Sequence, residues 1–203
     1  QIPDPALQQI LSDAAAGRRV FLAASTHQGE DQIIIDAAKI LGAGWLTIIA
    51  PRHPDRGDSI ATLAGQAPQR SHGAMPDQNT QIFIMDSLGE MGTLFSLAAY
   101  VFLGGSLVPA GGHNPLEPAA FGVPIFTGAH IFKNMAEFDG LAGANAVFTI
   151  SDAETLTKQI YLLEKDPKRR AKLATAAKDY VTIAHQRVGV AASAIGHVLT
   201  TDK

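Results

Sequence analysis

The sequence has no cysteine among its 203 residues, which excludes a disulfide scaffold, a thiolate metal site and cysteine catalysis. No apolar run reaches the roughly 18–20 residues that a membrane-spanning helix needs. The N-terminus also lacks the basic and then apolar pattern of a signal peptide. Basic residues number 16 against 19 acidic ones, which gives a formal charge of −3. This balance does not favour nucleic acid as the main partner.

The N-terminal 17 residues are a polar, proline-containing segment that opens on Gln1. We interpret them as a linker and first helix that belong to the N-terminal half of a longer protein. The remainder, residues 18–203, is expected to form one ligand-binding domain that ends in C-terminal helices.

Short, continuously apolar runs alternate with segments of helical periodicity. Such runs are typical of parallel strands buried on both faces, whereas Ile34, Ala38 and Leu41 recur at helical spacing. A weaker strand is expected near Gln69. The predicted strands are 19–24, 45–50, 82–85, 100–103, 123–126 and 146–150.

Two capping patterns predict where the C-terminal helices begin. Ser151 has Glu154 three residues later, which is the spacing of a capping box. Asp166 followed by Pro167 reads as an N-cap and a first helical residue. Helical spacing then continues as far as Ile195.

Strands that alternate with helices in this way indicate an α/β fold, a Rossmann-like doubly wound parallel sheet with helices on both faces. Ligands of such sheets bind beyond the carboxyl ends of the strands, near the point where the strand order reverses. The informative residues are therefore those that directly follow each strand.

The longest strand-end loop, residues 104–118, contains four glycines and ends in an expected helix start. Asn114 suits the N-cap position and Pro115 the first helical position. Unpaired N–H groups and the helix dipole would favour an anion such as a phosphate there. Asn114 with Glu117 could equally be a simple helix start.

A cation, the glycine-rich loop and a carboxylate at the same rim together suit a nucleotide. Arg52 stands between Pro51 and His53, where its planar guanidinium could hold a phosphate, and Glu117 could accept hydrogen bonds from ribose hydroxyls. A surface role for Arg52 is the simpler alternative. His27, His53 and His113 also follow strands, but their spacing matches no recognised metal-ligand set.

Three common enzyme signatures are missing. No Gly-x-Gly-x-x-Gly follows the first strand, and the sequence has neither a P-loop nor a Gly-x-Ser-x-Gly elbow. From the residues alone the chain is a nucleotide or nucleotide-sugar binding domain. A transferase, an enzyme that uses a UDP-sugar (a glycosyltransferase or an epimerase), and a nucleotide-sensing module all remain open.

The segment 102–124, with Gly-Gly-His-Asn-Pro-Leu-Glu-Pro at 111–118, closely resembles the bacterial 3-deoxy-D-manno-octulosonic acid (Kdo) transferases of lipopolysaccharide synthesis. The resemblance runs from about Arg18 to Lys203. The family consists of two-domain GT-B glycosyltransferases, and this chain resembles their C-terminal, donor-binding half. Three shorter motifs match the same family in the same order: Ser25-Thr26-His27-x-Gly29-Glu30, Pro51-Arg52-His53-Pro54 and Asp86-x-x-Gly89-Glu90.

The resemblance implies that residues 18–203 bind CMP-Kdo in an enzyme that transfers Kdo, with inversion, to a lipid A precursor (lipid IVA). Arg52 and the amides of the Asn114 helix would stabilise the negative charge that grows on the departing phosphate. Three further candidates are Ser25, Gly105 and His113. The family's CMP contacts carry over to Pro51, Arg52, Leu88, Gly89, Glu90, Asn114, Pro115, Leu116 and Glu117.

The resemblance also implies no cofactor and no obligatory metal, since CMP-Kdo is a substrate. The family's catalytic base and membrane anchor lie in the N-terminal domain, so we assign no base in this chain and expect it alone to bind donor without transferring it. Contact with the lipid A precursor and with the inner membrane, at its cytoplasmic face, would be made through that other domain. No nucleic acid partner is expected.

Overall fold

Six parallel strands form one sheet in the computed structural model, which describes the backbone of residues 2–201 and the side chains of residues 2–186. Each predicted apolar run contributes one strand, but the segment near Gln69 forms only an isolated bridge with Ile84. In chain order the strands are β1 (Arg19–Thr26), β2 (Trp45–Pro51), β3 (Ile82–Ile84), β4 (Tyr100–Leu103), β5 (Ile125–Thr127) and β6 (Val147–Thr149).

The strand order is β3-β2-β1-β4-β5-β6, and every neighbouring pair is parallel. This is the doubly wound α/β arrangement that the sequence predicts. The helices are α1 (Pro5–Ala15), α2 (Asp31–Leu41), α3 (Gly57–Leu63), α4 (Met91–Leu97), α5 (Leu116–Ala120), α6 (Met135–Gly143), α7 (Ala153–Glu164) and α8 (Pro167–Thr201).

Helix α7 starts from a different cap than the one predicted. Its N-cap is Asp152, whose Oδ1 accepts a hydrogen bond from the Thr155 amide at 2.7 Å, while the Thr155 hydroxyl accepts one from the Asp152 amide at 3.2 Å. The expected pair, Ser151 with Glu154, is therefore wrong by one residue. A carboxylate is the stronger acceptor for an exposed amide, so Asp152 takes the role in preference to the Ser151 hydroxyl.

Helix α8 begins where the sequence predicts. Pro167 is its first residue, and Asp166 Oδ1 accepts from the Arg169 amide at 2.9 Å. The helix continues to Thr201, while the side chain of Ile195 lies outside the described residues.

The sheet is covered on both faces, which gives two apolar core clusters. Helices α1, α4, α6 and part of α8 pack on one face, and α2, α3 and α7 pack on the other. The strand aromatics Phe21, Phe83, Phe102 and Phe126 are fully buried, as core residues should be. Helix α1 joins the first cluster through Leu7 and Leu11, so part of the N-terminal segment packs against this domain.

The strand order reverses between β1 and β4, and ligands of doubly wound sheets bind at the carboxyl edge near such a reversal. Within the part of the chain that the structure describes, no helix combines the length and the apolarity that a membrane crossing requires.

Candidate functional site

A cleft of ≈ 280 Å³ opens at the carboxyl edge of the sheet. Ser25 comes from the end of β1, Arg52 directly follows β2, and Glu117 lies in α5 beyond β4. Parallel strands end at the same edge, and this brings residues that are far apart in sequence to one place. The cleft is lined by eight predicted site residues: Ser25, Pro51, Arg52, Leu88, Gly89, His113, Asn114 and Glu117.

Four predicted residues do not line this cleft. The Glu90 carboxylate accepts hydrogen bonds from Arg70 at 3.2 Å and from Ser87, so its oxygens are already engaged. The Gly105 amide donates instead to the buried carboxylate of Glu30. Pro115 is buried, and Leu116 lines an adjoining cavity of ≈ 240 Å³ that shares Asn114 and Glu117 with the cleft.

The helix that was expected to begin with Pro115 begins one residue later and is short. Pro115 therefore occupies the N-cap position predicted for Asn114, although Asn114 Oδ1 still accepts a hydrogen bond from the Leu116 amide at 2.9 Å. Helix α5 has only five residues, and the Leu116 amide is already taken. Its N-terminus therefore offers fewer free donors to an anion than the sequence suggests.

Arg52 differs from the nearby arginines because its guanidinium has no hydrogen-bond or ion-pair partner among the residues described. Its amide donates to the Thr26 carbonyl at 3.0 Å, which anchors the backbone, and the side chain is exposed. Arg56, by contrast, pairs with Asp31 and donates to the Thr26 carbonyl at 2.8 Å. Burial raises the pKa of Asp31, and Arg56 opposes that rise.

Glu30 anchors the glycine-rich loop to the loop after β1. The residue is fully buried, and each of its carboxylate oxygens accepts two backbone amides. Oε2 accepts from His27 and Gly105, both at 2.8 Å, and Oε1 accepts from Ser106 and Leu107, both at 2.9 Å. The loop thus wraps a carboxylate of its own chain, as backbone nests wrap anions.

Close backbone contact explains the first two glycines of this loop. A Cβ on Gly104 would lie 2.3 Å from the Ser25 carbonyl oxygen, and Gly105 has φ +68°. Only glycine adopts both arrangements without strain. The β1 and β4 ends therefore approach each other closely, and they carry His27 and His113 into contact.

The rings of His27 and His113 form a hydrogen-bonded pair with 2.9 Å between their Nε2 atoms. Burial lowers the pKa of His113 to about 4, and the neighbouring His27, Arg52 and Lys133 add to this effect. Burial likewise lowers the pKa of His27. The pair is therefore neutral at neutral pH and shares one proton between the facing nitrogens.

The three histidines that follow strands do come together, since the ring centroids of His27 and His53 are 6.2 Å apart. Even so, residues 2–186 contain no group of three or more ligating side chains placed to hold a metal ion. The expectation that no metal is required stays a prediction.

Acidification is expected to destabilise the fold through His113. Between pH 6.5 and pH 4 the unfolded chain protonates this residue while the folded chain does not, so stability falls as pH falls. The loss should be about 2 kcal/mol, since each pKa unit is worth about 1.4 kcal/mol and the ring is partly screened by solvent. Denaturant unfolding of wild type and His113→Asn at pH 4.5 and 7 measures it.

The exposed His72, varied as His72→Asn, is the matched control and should keep the wild-type dependence on pH. Identical pH profiles for wild type and His113→Asn would contradict a neutral, half-buried His113.

The chain matches known proteins both in sequence and in structure. No protein-family model matches the chain. A 3-deoxy-D-manno-octulosonic acid transferase of Haemophilus influenzae is 37% identical over 172 residues, which are 78% of this chain and 39% of the relative. The crystal structure of the C-terminal CMP-Kdo binding domain of WaaA from Acinetobacter baumannii is 30% identical with a TM-score of 0.79, and the match covers 87% of this chain and 96% of that one.

The chain belongs to the Kdo transferase family. The predicted family and the predicted fold, that of the C-terminal half of a GT-B glycosyltransferase, are thereby confirmed. This member spans well under half the length of the curated relatives it matches. A putative UDP-N-acetylglucosamine 2-epimerase from Listeria monocytogenes is 15% identical over 84% of this chain and 42% of its own, with a TM-score of 0.57, and shares the fold alone.

A third loop of this Kdo transferase family member, residues 128–134, holds the glycine-rich loop from the other side. The Lys133 amide donates to the Gly111 carbonyl at 3.0 Å, and the Asn134 side chain donates to the Gly112 carbonyl at 2.9 Å. No sequence pattern marked this loop as part of the site. Its only signal was its place directly after β5, at the carboxyl edge of the sheet.

Proposed function

We propose that this chain is the donor-binding domain of a Kdo transferase and binds CMP-Kdo in the cleft at the carboxyl edge of its sheet. The observation that carries the proposal is that an exposed Glu117 and Arg52, whose guanidinium has no partner among residues 2–186, line the same cleft. Membership of the Kdo transferase family supports the choice of nucleotide, since the Acinetobacter baumannii relative is described as a CMP-Kdo binding domain.

Each group of the cleft has a chemical task in this proposal. The guanidinium of Arg52 binds the phosphate, because it can donate two parallel hydrogen bonds to phosphate oxygens. The Glu117 carboxylate accepts hydrogen bonds from the ribose hydroxyls. Leu88 and Gly89 contact the nucleoside, since both line the same cleft as Arg52 and Glu117.

The reaction proposed for the whole enzyme is displacement at the anomeric carbon of Kdo, with CMP as the leaving group and inversion of configuration. Negative charge then grows on the phosphate oxygens, and a preorganised cation at this position lowers the barrier. A lipid A precursor, lipid IVA, is the proposed acceptor. The general base and the contact with the inner membrane, at its cytoplasmic face, are proposed to lie in the N-terminal domain of the family.

Calorimetric titration of the chain with CMP, UMP and NAD tests the choice of nucleotide. CMP should bind and UMP should bind at least several-fold more weakly, because discrimination between exocyclic groups of a base rests on one or two hydrogen bonds worth about 1 kcal/mol each. Equal or tighter binding of UMP would favour an enzyme that uses a UDP-sugar. Binding of NAD in place of CMP would overturn the proposal.

A further inference from the structure

The loop that follows β3, from Asp86 to Glu90, presents its middle to the cleft and turns both of its ends away. Ser87, Leu88 and Gly89 line the cleft, whereas Asp86 and Glu90 do not. The Leu88 side chain is 77% exposed, so packing against the core does not fix its position. The position of the loop therefore depends on what holds its two ends.

Both end carboxylates face one short segment of the chain that precedes β3. Asp86 Oδ1 accepts from the Ser71 amide at 2.8 Å, and its Oδ2 accepts from the Ser71 hydroxyl at 2.6 Å and from the Gln69 side chain at 3.2 Å. Glu90 Oε1 accepts from Arg70, from Nε at 3.3 Å and from a terminal nitrogen at 3.2 Å. Three consecutive residues thus hold both ends of the loop.

The segment from Gln69 to Ser71 is itself fixed to the sheet. The Arg70 amide donates to the Ile84 carbonyl, and the Ile84 amide donates to the Pro68 carbonyl, both at 3.0 Å. The segment therefore lies along β3 like a short edge strand, and the same strand leads directly toward the loop. Segment and loop both take their position from β3.

The two anchors differ in exposure. Asp86 is buried, and a Cβ on Gly57 would lie 2.0 Å from its Oδ2, so the start of α3 closes it from a further side. The Arg70 and Glu90 side chains are 35% and 20% exposed. Loss of the Asp86 carboxylate would leave buried donors unpaired, whereas the partly exposed Arg70 contact can be altered with the fold retained. The role of the anchors is therefore best measured through Arg70.

We propose that Arg70 is a positioning residue for nucleotide binding and acts through Glu90. The pair holds the loop in the place where Leu88 and Gly89 contact the nucleoside. This inference rests on the proposed donor-binding function and deepens it. It gives Glu90 a task other than the ligand contact that the family resemblance implies, since its carboxylate faces Arg70 and the Ser87 hydroxyl and does not line the cleft.

Calorimetric titration with CMP and with cytidine tests the proposal at a temperature where every variant is folded. Arg70→Met should weaken binding of both ligands by the same factor, about three- to tenfold, because the nucleoside contact is common to both. Loss of Arg52, by contrast, should affect CMP alone. Arg70→Lys should keep most of the affinity, since both nitrogens of Arg70 contact a single oxygen of Glu90 and an ammonium can donate to that oxygen as well.

A double-mutant cycle shows whether Arg70 acts through Glu90. Arg70→Met should weaken binding in the wild-type background and should have no further effect in a Glu90→Met background, because residues that act as a pair are not additive. A loss of the same size in both backgrounds would show that Arg70 acts elsewhere, and it would overturn the inference.

Arg19→Met is the matched control. Arg19 forms an ion pair with Glu164 at the start of β1, away from the cleft, and the two side chains are 42% and 21% exposed. This variant loses a comparable ion pair and should bind both ligands as wild type does. Unchanged affinity in Arg70→Met, or a loss confined to CMP, overturns this inference alone. A wild-type chain that does not bind CMP overturns the donor-binding proposal together with this one.

Discussion

Replacement of Glu30 by glutamine is expected to lower the free energy of unfolding by about 3–5 kcal/mol, the largest effect of any single substitution considered for this chain. Each oxygen of the buried carboxylate accepts two backbone amides, one pair from Ser106 and Leu107 and the other from His27 and Gly105. A glutamine keeps one oxygen and turns an NH2 group toward the other two amides. Those two donors then lose their acceptor in a place that water does not reach.

Chemical denaturation of wild type, Glu30→Gln and the exposed control Glu154→Gln measures the loss. The control should stay within about 0.5 kcal/mol of wild type, as surface substitutions do. Because Glu30 also joins the loops that carry His27 and His113, affinity for CMP should fall in the Glu30 variant at temperatures where it is still folded. A loss of stability below about 1 kcal/mol would show that the carboxylate is not what organises the glycine-rich loop.

Replacement of Arg52 by alanine is expected to weaken binding of CMP about 10- to 100-fold and to leave binding of cytidine nearly unchanged. Charge-assisted hydrogen bonds contribute about 1.5–3 kcal/mol, and each 1.4 kcal/mol is a tenfold change in affinity. The side chain is exposed and has no partner within the described residues, so its removal should not disturb the fold.

Calorimetric titration with the two ligands separates the phosphate contact from the rest of the site. Arg169→Ala serves as a control, since Arg169 is also exposed but stacks over the Phe148 ring and does not line the cleft. The affinity should also decrease with rising salt in wild type and much less in the Arg52 variant, because salt screens the ion pair that the variant lacks. Equal losses for CMP and cytidine would place Arg52 away from the phosphate.

The sheet could be anticipated because its strands are buried on both faces and its ligand edge follows from topology. Val20 to Ala24 is apolar at every position, and a run of that kind has few other places in a globular fold. The loops after the strands then had to meet at one edge, so Arg52 and Glu117 could be assigned to one site although they lie 65 positions apart in the sequence. The N-cap of α7 lies one residue later than predicted, because Ser151 and Asp152 are both good caps by type and the Asp152 carboxylate is the stronger acceptor.

Glu90 and Glu30 show where such reasoning ends. Both stand in loops that match the family, yet Glu90 is engaged by Arg70 and Ser87, and Glu30 is buried beneath the amides of a loop 75 residues away in sequence. The contact of Glu90 with Arg70 and that of Glu30 with the amides of residues 105–107 have no local signal, because these partners come from segments that only the folded sheet brings together. The loop that carries Lys133 escaped notice for the same reason, because its neighbour Gly111 is distant along the chain.

The order of apolar and polar residues by itself determined the α/β class, the strand positions and the edge at which a ligand binds, because burial of both sheet faces permits little else. The tertiary structure alone decided which cations are free and which are paired, and which carboxylate faces solvent and which faces backbone amides. These properties depend on distances of about 3 Å between atoms of different loops, and no spacing along the chain encodes such distances.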